Sequence, residues 1–131
     1  MTRTQRLEPV VRHTDKKERR ALLEVAQSQA AFEGEQQRLT QLQDYKLEYL
    51  QKKQTDIGIF TPIELQEFNR FMQQLDQTIL QQMEVVALRQ RELDQKREQW
   101  TATRIDSKKM HKVVERLKQQ EFVEQERKEQ K

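Results

Sequence analysis

An unbroken 4-3 alternation beginning at Leu65 constrains this chain more than any other feature. It runs Leu65, Phe68, Met72, Leu75, Ile79, Gln82, Val86, Arg89, Leu93, Lys96, Trp100, Thr103, Ser107, Met110, Val114 and Leu117. Eleven of these sixteen positions are apolar, and no glycine or proline lies between them. Residues three and four apart share one face of an α-helix, and a seven-residue repeat keeps that face turned toward a partner helix. The pattern predicts one continuous coiled-coil helix. Composition taken alone leaves disorder open, because 36% of residues are charged and only 34% hydrophobic. The polar majority is Gln, Glu, Lys and Arg, all good helix formers, and the period decides for helix.

The segment Thr55–Glu64 breaks the pattern and predicts a turn over residues 55–61. Gly58 supplies backbone freedom there. Thr61 is an N-cap, Pro62 sits at the first helical position, and Glu64 reaches back to close a capping box. Phe60 and Leu65 are placed to form a hydrophobic staple across that start. The second helix is therefore expected over about 62–128. The first, expected over about 14–54, has a weaker seam through Val25, Ser28, Phe32, Glu35, Leu39, Leu42, Lys46 and Tyr49, flanked by Leu22, Ala26, Tyr45 and Leu50. Gly34 inside it costs about 1 kcal/mol relative to Ala without breaking it.

A short connection makes the two helices antiparallel neighbours. The expected fold is all-α: one domain over residues 1–131, a long antiparallel two-helix coiled-coil hairpin. Folding about Gly58 places Tyr49 near Gln66, Leu42 near Gln73 and Leu22 near Leu93. On that register the first helix runs out opposite residue 101, so Trp100 plugs the core there. Residues beyond about 105 then overhang, unless the N-terminal segment continues alongside them.

The same residues argue against several functions. There is no cysteine, hence no disulfide framework and no thiolate chemistry. No apolar run approaches the ~20 residues of a membrane span, and the basic N-terminus lacks the apolar stretch of a secretory signal. His13 and His111 have no carboxylate or cysteine cluster at ligand spacing and are expected at the surface. No glycine-rich phosphate loop is present, and a two-helix hairpin encloses no cavity that would exclude water. The chain is expected to be a non-enzyme with no catalytic residue, metal or cofactor.

Charge is unevenly placed. Residues 1–20 carry seven basic and three acidic groups, and residues 104–131 nine basic and six acidic, whereas the stretch between is net acidic. The hairpin brings the basic ends together, which makes Arg12, Lys16, Lys17, Arg19, Arg20, Lys108, Lys109, Lys112 and Arg116 candidates for docking on an acidic protein surface. Interleaved acidic residues and the lack of an aromatic platform argue against direct nucleic-acid binding. Among Phe68, Phe71, Met72 and Leu75, only Phe71 lies off the seam, which makes it the best candidate for contact with a partner.

The stretch Gln41–Tyr49 carries Leu42, Tyr45, Glu48 and Tyr49 in the spacing L-x-x-Y-x-x-E-Y and resembles the signature of the flagellar export protein FliJ family. The segment Gln66–Ile79 is similar to the start of that family's second helix. Trp100 followed by Lys108, Lys109 and Met110 matches a third motif, and the resemblance covers most of residues 20–128. It implies a coiled coil similar to the central stalk of rotary ATPases. It implies association with the hexameric export ATPase FliI, promotion of that ring's assembly and activity, contact with the export-gate membrane protein FlhA, and interaction with export chaperones. It implies a cytoplasmic protein of bacterial flagellum biogenesis, held peripherally at the inner face of the cell membrane through its partners. The gate-contacting residues of the family correspond to Phe71 and Leu75, and the ring-facing end is the one where the termini meet. Two alternatives stay open: the equivalent stalk of a virulence type III secretion system, and a generic structural coiled-coil tether.

Overall fold

A computed structural model describes residues 2–55, 58 and 60–130. The chain is all-α: helix α1 spans Arg3–Thr55 and helix α2 spans Pro62–Glu129. The two long helices pack against each other as a hairpin, with no strand among the described residues. Of the expected turn, residues 56, 57 and 59 lie outside the described residues. Gly58 adopts φ +96°, a conformation that strains any L side chain.

Each helix starts on a capping box. At α2, Glu64 donates its backbone N–H to Thr61 Oγ1 at 3.2 Å, and Thr61 N–H returns to Glu64 Oε2 at 3.4 Å. Phe60 faces the Phe68 ring, with centroids 6.2 Å apart, while Leu65 stays exposed. At α1 the same device uses Thr2 and Gln5: Gln5 N–H donates to Thr2 Oγ1 at 3.2 Å and Thr2 N–H to Gln5 Oε1 at 3.1 Å. This cap starts α1 at Arg3 rather than near residue 14. Pro9 lies inside the helix, where it removes one N–H donor, and α1 continues through it. At the far end of α1, Lys52 and Lys53 complement the negative pole of the helix.

The 4-3 seam of α2 is its inward face. Met72, Leu75, Ile79, Leu93 and Ser107 are buried, and the other seam positions beyond Leu65 are half-buried. All eight expected seam positions of α1 are half-buried too, and the series continues toward the N-terminus through Ala21, Glu18, Thr14, Val11, Leu7 and Thr4. The flanking Leu22, Tyr45 and Leu50 stay exposed.

The hairpin comprises two compact units. The turn unit, residues 28–93, holds the Met72–Leu75–Ile79 core with Leu39, Leu42, Tyr49, Phe68 and Phe71 packed against it. Polar pairs join the helices beside that core. Lys46 Nζ is 2.6 Å from Asp76 Oδ1, and Gln82 Nε2 donates to both the backbone carbonyl and the carboxylate of Glu35, at 2.8 and 2.7 Å. The terminal unit, residues 1–27 with 94–131, buries Thr4, Ala21 and Ser107. Its helices are joined by Lys96 to Glu24 at 3.5 Å, by Asp15 to Ser107 and His111, and by Thr4 N–H donating to Glu121 at 3.3 Å.

These contacts correct the expected register. Glu35 meets Gln82, two residues beyond the position opposite it on a fold about Gly58, whereas Lys46 meets Asp76 and Asp15 meets Ser107 seven residues beyond theirs. Side chains on an α-helix tilt toward its own N-terminus. In an antiparallel pair the contacting residues therefore lie about one residue further along each helix than residues at one level, which matches the Glu35–Gln82 offset and makes up part of the larger ones. Beyond residue 105 the N-terminal turns of α1 continue alongside α2 as far as Glu121, the alternative left open above, and residues 122–129 stay exposed.

The two glycines predict opposite outcomes. A Cβ on Gly34 meets nothing within 4 Å in mid-helix, so Gly34→Ala should raise stability by about 1 kcal/mol. Gly58→Ala, at positive φ, should lower it by about 1 kcal/mol or more. Thermal melts followed by circular dichroism at 222 nm measure both; a loss on Gly34→Ala would mean that the face is covered in solution.

Candidate docking surfaces

Arg12, Lys16, Lys17, Arg19 and Arg20 project from α1 and Lys108, Lys109, Lys112 and Arg116 from α2, all within the terminal unit. All nine are exposed. None makes a salt bridge within 4.0 Å among the described residues. The fold therefore gathers the sequence-predicted cations into one unit and leaves their charges for water or a partner.

Between them sits a polar cluster that the sequence did not announce. The Ser107 hydroxyl donates to Asp15 Oδ1 at 2.7 Å, and His111 Nε2 lies 2.8 Å from the same oxygen. An ionised carboxylate only accepts, so Nε2 carries the proton in this contact. His111, expected as a plain surface residue, is 55% exposed yet tied across the helix pair. Asp15 is held below the ordinary carboxyl value of 3.8, first by the Ser107 hydroxyl, then by the hydrogen bond from His111; burial opposes the shift, and the charges of His111 and Arg19 add to it. The signal for the cluster was present only as separate letters, because a contact between residues 15 and 107 appears once the register is known.

Trp100 is half-buried with its indole N–H lacking a partner, and Arg104 covers its ring with the guanidinium carbon 5.5 Å from the centroid. It does not mark the end of α1, which runs past it to Arg3.

In the turn unit, Phe71 is half-buried against Tyr49, with ring centroids 4.8 Å apart, and meets Tyr45 edge-on at 6.3 Å. The Tyr45 hydroxyl donates to that of Tyr49 at 3.3 Å, and this bond is the first cause of a Tyr45 pKa raised above 10.0. Leu75 is buried in the core, only 7% exposed. Phe71 thus belongs to an aromatic group with Tyr45 and Tyr49 and packs against the core cluster that holds Leu75. Leu75, on the seam, is buried, whereas Phe71, expected to be left exposed, is half-buried, and Tyr45 and Tyr49 complete the group around it.

No group of three or more potential metal ligands occurs among the described residues, and no helix is long and apolar enough to cross a membrane. The family model described as "Flagellar FliJ protein" matches residues 3–131. The chain belongs to the FliJ family. It is a flagellar export-related protein, from a family whose members are non-catalytic components of export. No curated relative and no solved structure matches it. The family match spans both helices, including the N-terminal turns for which the motif resemblance gave no residues.

The depressed Asp15 pKa sets a sign for acid stability. A carboxyl whose folded-state pKa is lowered contributes stability that is present above its unfolded value and is lost as pH falls through the folded-state value. Wild type should therefore exceed Asp15→Ala by about 1 kcal/mol at pH 7, with the difference shrinking below about pH 4. Paired thermal melts between pH 7 and pH 2.5 measure it; a difference that stays constant to the lowest pH would contradict the assignment.

Proposed function

We propose that this FliJ-family chain is a stalk-like export factor that docks through its terminal unit on the hexameric flagellar export ATPase FliI and promotes assembly and hydrolysis by the ring. One observation supports this reading most: nine exposed cations, free of salt bridges among the described residues, gathered in the unit that contains both chain ends. Complementary charge speeds encounter and selects a partner, and its effect falls with salt. Polar residues in the seam of both helices keep the hairpin from being a rigid, self-sufficient core. A partner that binds only the folded pair adds to its stability by mass action.

The turn unit supplies the second contact in this reading. Phe71, grouped with Tyr45 and Tyr49 and packed against the core cluster that holds Leu75, touches the export-gate protein FlhA. Export chaperones bind the same hairpin, and these partners hold the protein peripherally at the inner face of the cell membrane. The family assignment and the aromatic group around Phe71 support this part of the reading.

Hydrolysis by the export ATPase of the same cell, measured while the chain is titrated in, tests the proposal. Full-length protein should give saturable stimulation that weakens as salt rises from about 50 to 300 mM. Glu replacements at Lys17, Lys109 and Arg116 together should weaken half-maximal stimulation about tenfold or more, whereas Phe71→Ala should leave it intact and reduce capture of the gate protein. A helical chain that neither stimulates hydrolysis nor co-assembles with the ring would contradict the docking role.

A further inference from the structure

The two flanks of the terminal unit differ in chemistry. Asp15 and His111, in contact, mark one flank of the helix pair. Successive residues on an α-helix are turned by about 100°. That rotation places Arg6, Val10, Lys17 and Arg20 on the other flank of α1, and Asp106, Lys109, Val113 and Arg116 on the other flank of α2. A shallow groove lined by Thr14, Lys17, Thr103 and Asp106 opens on this second flank, and another is lined by Thr2, Arg3, Leu117, Gln120, Glu121 and Glu124. Val10 and Val113 are each 42% exposed. Both lie between the Asp15–Ser107 and Thr4–Glu121 contacts, so they stand at one level across the seam. The first flank is tied across the seam at Asp15; the second presents Val10 and Val113 on the same flank as Arg6, Lys17, Arg20, Lys109 and Arg116.

We propose that the second flank is the seat for an acidic amphipathic helix of a partner protein. An aliphatic side chain of that helix enters between Val10 and Val113, and its carboxylates meet Arg6, Lys17, Arg20, Lys109 and Arg116. Charge complementarity selects the occupant. Arg6, Lys17, Arg20, Lys109 and Arg116 outnumber Asp106 and the groove-lining Glu121 and Glu124, and none of the five is in a salt bridge among the described residues. A third helix also suits the shape, because the groove between two packed helices accepts the apolar stripe of another helix at the spacing i, i+3, i+4, i+7. Nucleic acid fits less well, since no aromatic side chain on this flank can stack a base. A flat bilayer does not reach into a groove between two helices. The proposal rests on the reading of the terminal unit as a docking surface and specifies which flank docks and what it takes.

The test uses the full chain and a fluorescein-labelled acidic amphipathic peptide of Glu, Ala and Leu, with Leu at helical spacing, followed by anisotropy. The comparison probes are a peptide of the same composition with scrambled order, a short DNA duplex, and vesicles containing phosphatidylglycerol. The ordered peptide should bind about tenfold more tightly than the scrambled one. Val113→Asp should weaken it about tenfold, and so should the milder pair Val10→Gln with Val113→Gln, which keeps helix-forming residues. Lys118→Glu, on the Asp15 flank, should weaken it less than threefold. Equal losses from both flanks, equal binding of the scrambled peptide, or tighter binding of DNA or vesicles would overturn the proposal. Circular dichroism of each variant shows that the hairpin is intact. No ATPase is present, so the peptide measurement can fail while stimulation of hydrolysis stands, and the reverse.

Discussion

Two helices share a single strip of contact, and this hairpin depends on what that strip contains. Among the described residues only Ala21, Met72, Leu75, Ile79 and Leu93 are buried apolar residues, which is little hydrophobic area for helices of this length. The remainder of the seam is half-buried and partly polar. There the helices are matched by specific pairs: Lys46 with Asp76, Glu35 with Gln82, Glu24 with Lys96, Asp15 with Ser107 and His111, and Thr4 with Glu121. Such pairs contribute modestly to stability when half-exposed. Their larger effect is on register, since a slip by one heptad would leave Ser107 buried without its acceptor and Glu35 without its amide. The apolar cluster around Met72 holds the turn unit together, and the polar pairs fix which residues face each other.

The register carries through to function. Cations at residues 12–20 and 108–116 gather in one unit because Asp15 reaches Ser107 and His111. The same geometry separates a flank tied across the seam at Asp15 from one that presents Val10 and Val113 on the same side as positive charges. In the turn unit, the packing that buries Leu75 also stacks Phe71 on Tyr49. Neither surface is a pocket for chemistry. Both are made of side chains held at fixed positions on helices, which is what the proposed docking role requires.

The seam of α2 was legible in the sequence almost position by position, because a strict 4-3 pattern allows one inward face. The capping box at Thr61 and Glu64 was legible for the same local reason. The start of α1 was not. Pro9 and a seam of Thr4, Leu7, Val11, Thr14 and Glu18 look unlike a helix that pairs, and the deciding cap between Thr2 and Gln5 is one residue pair. Counting from Gly58 places Glu35 within two residues of Gln82, the shift that side-chain tilt produces, but leaves Lys46–Asp76 and Asp15–Ser107 seven residues away. The Asp15 cluster and the Tyr45–Tyr49–Phe71 group depend on that register and could not be assembled from local patterns. The cations were visible as composition, but their grouping into two unlike flanks required the fold.

The fold and both proposed surfaces depend most directly on α1 pairing with α2 as far as Thr4 and Glu121. The chain has no native cysteine, so Thr4→Cys with Glu121→Cys, treated at low protein concentration with a short bifunctional maleimide, reports that pairing alone. The account predicts rapid crosslinking within one chain, and far less when the second cysteine is moved to Arg104→Cys. Crosslinks that form only between chains, or equally at both positions, would show that the N-terminal turns do not lie along the end of α2 and would contradict it.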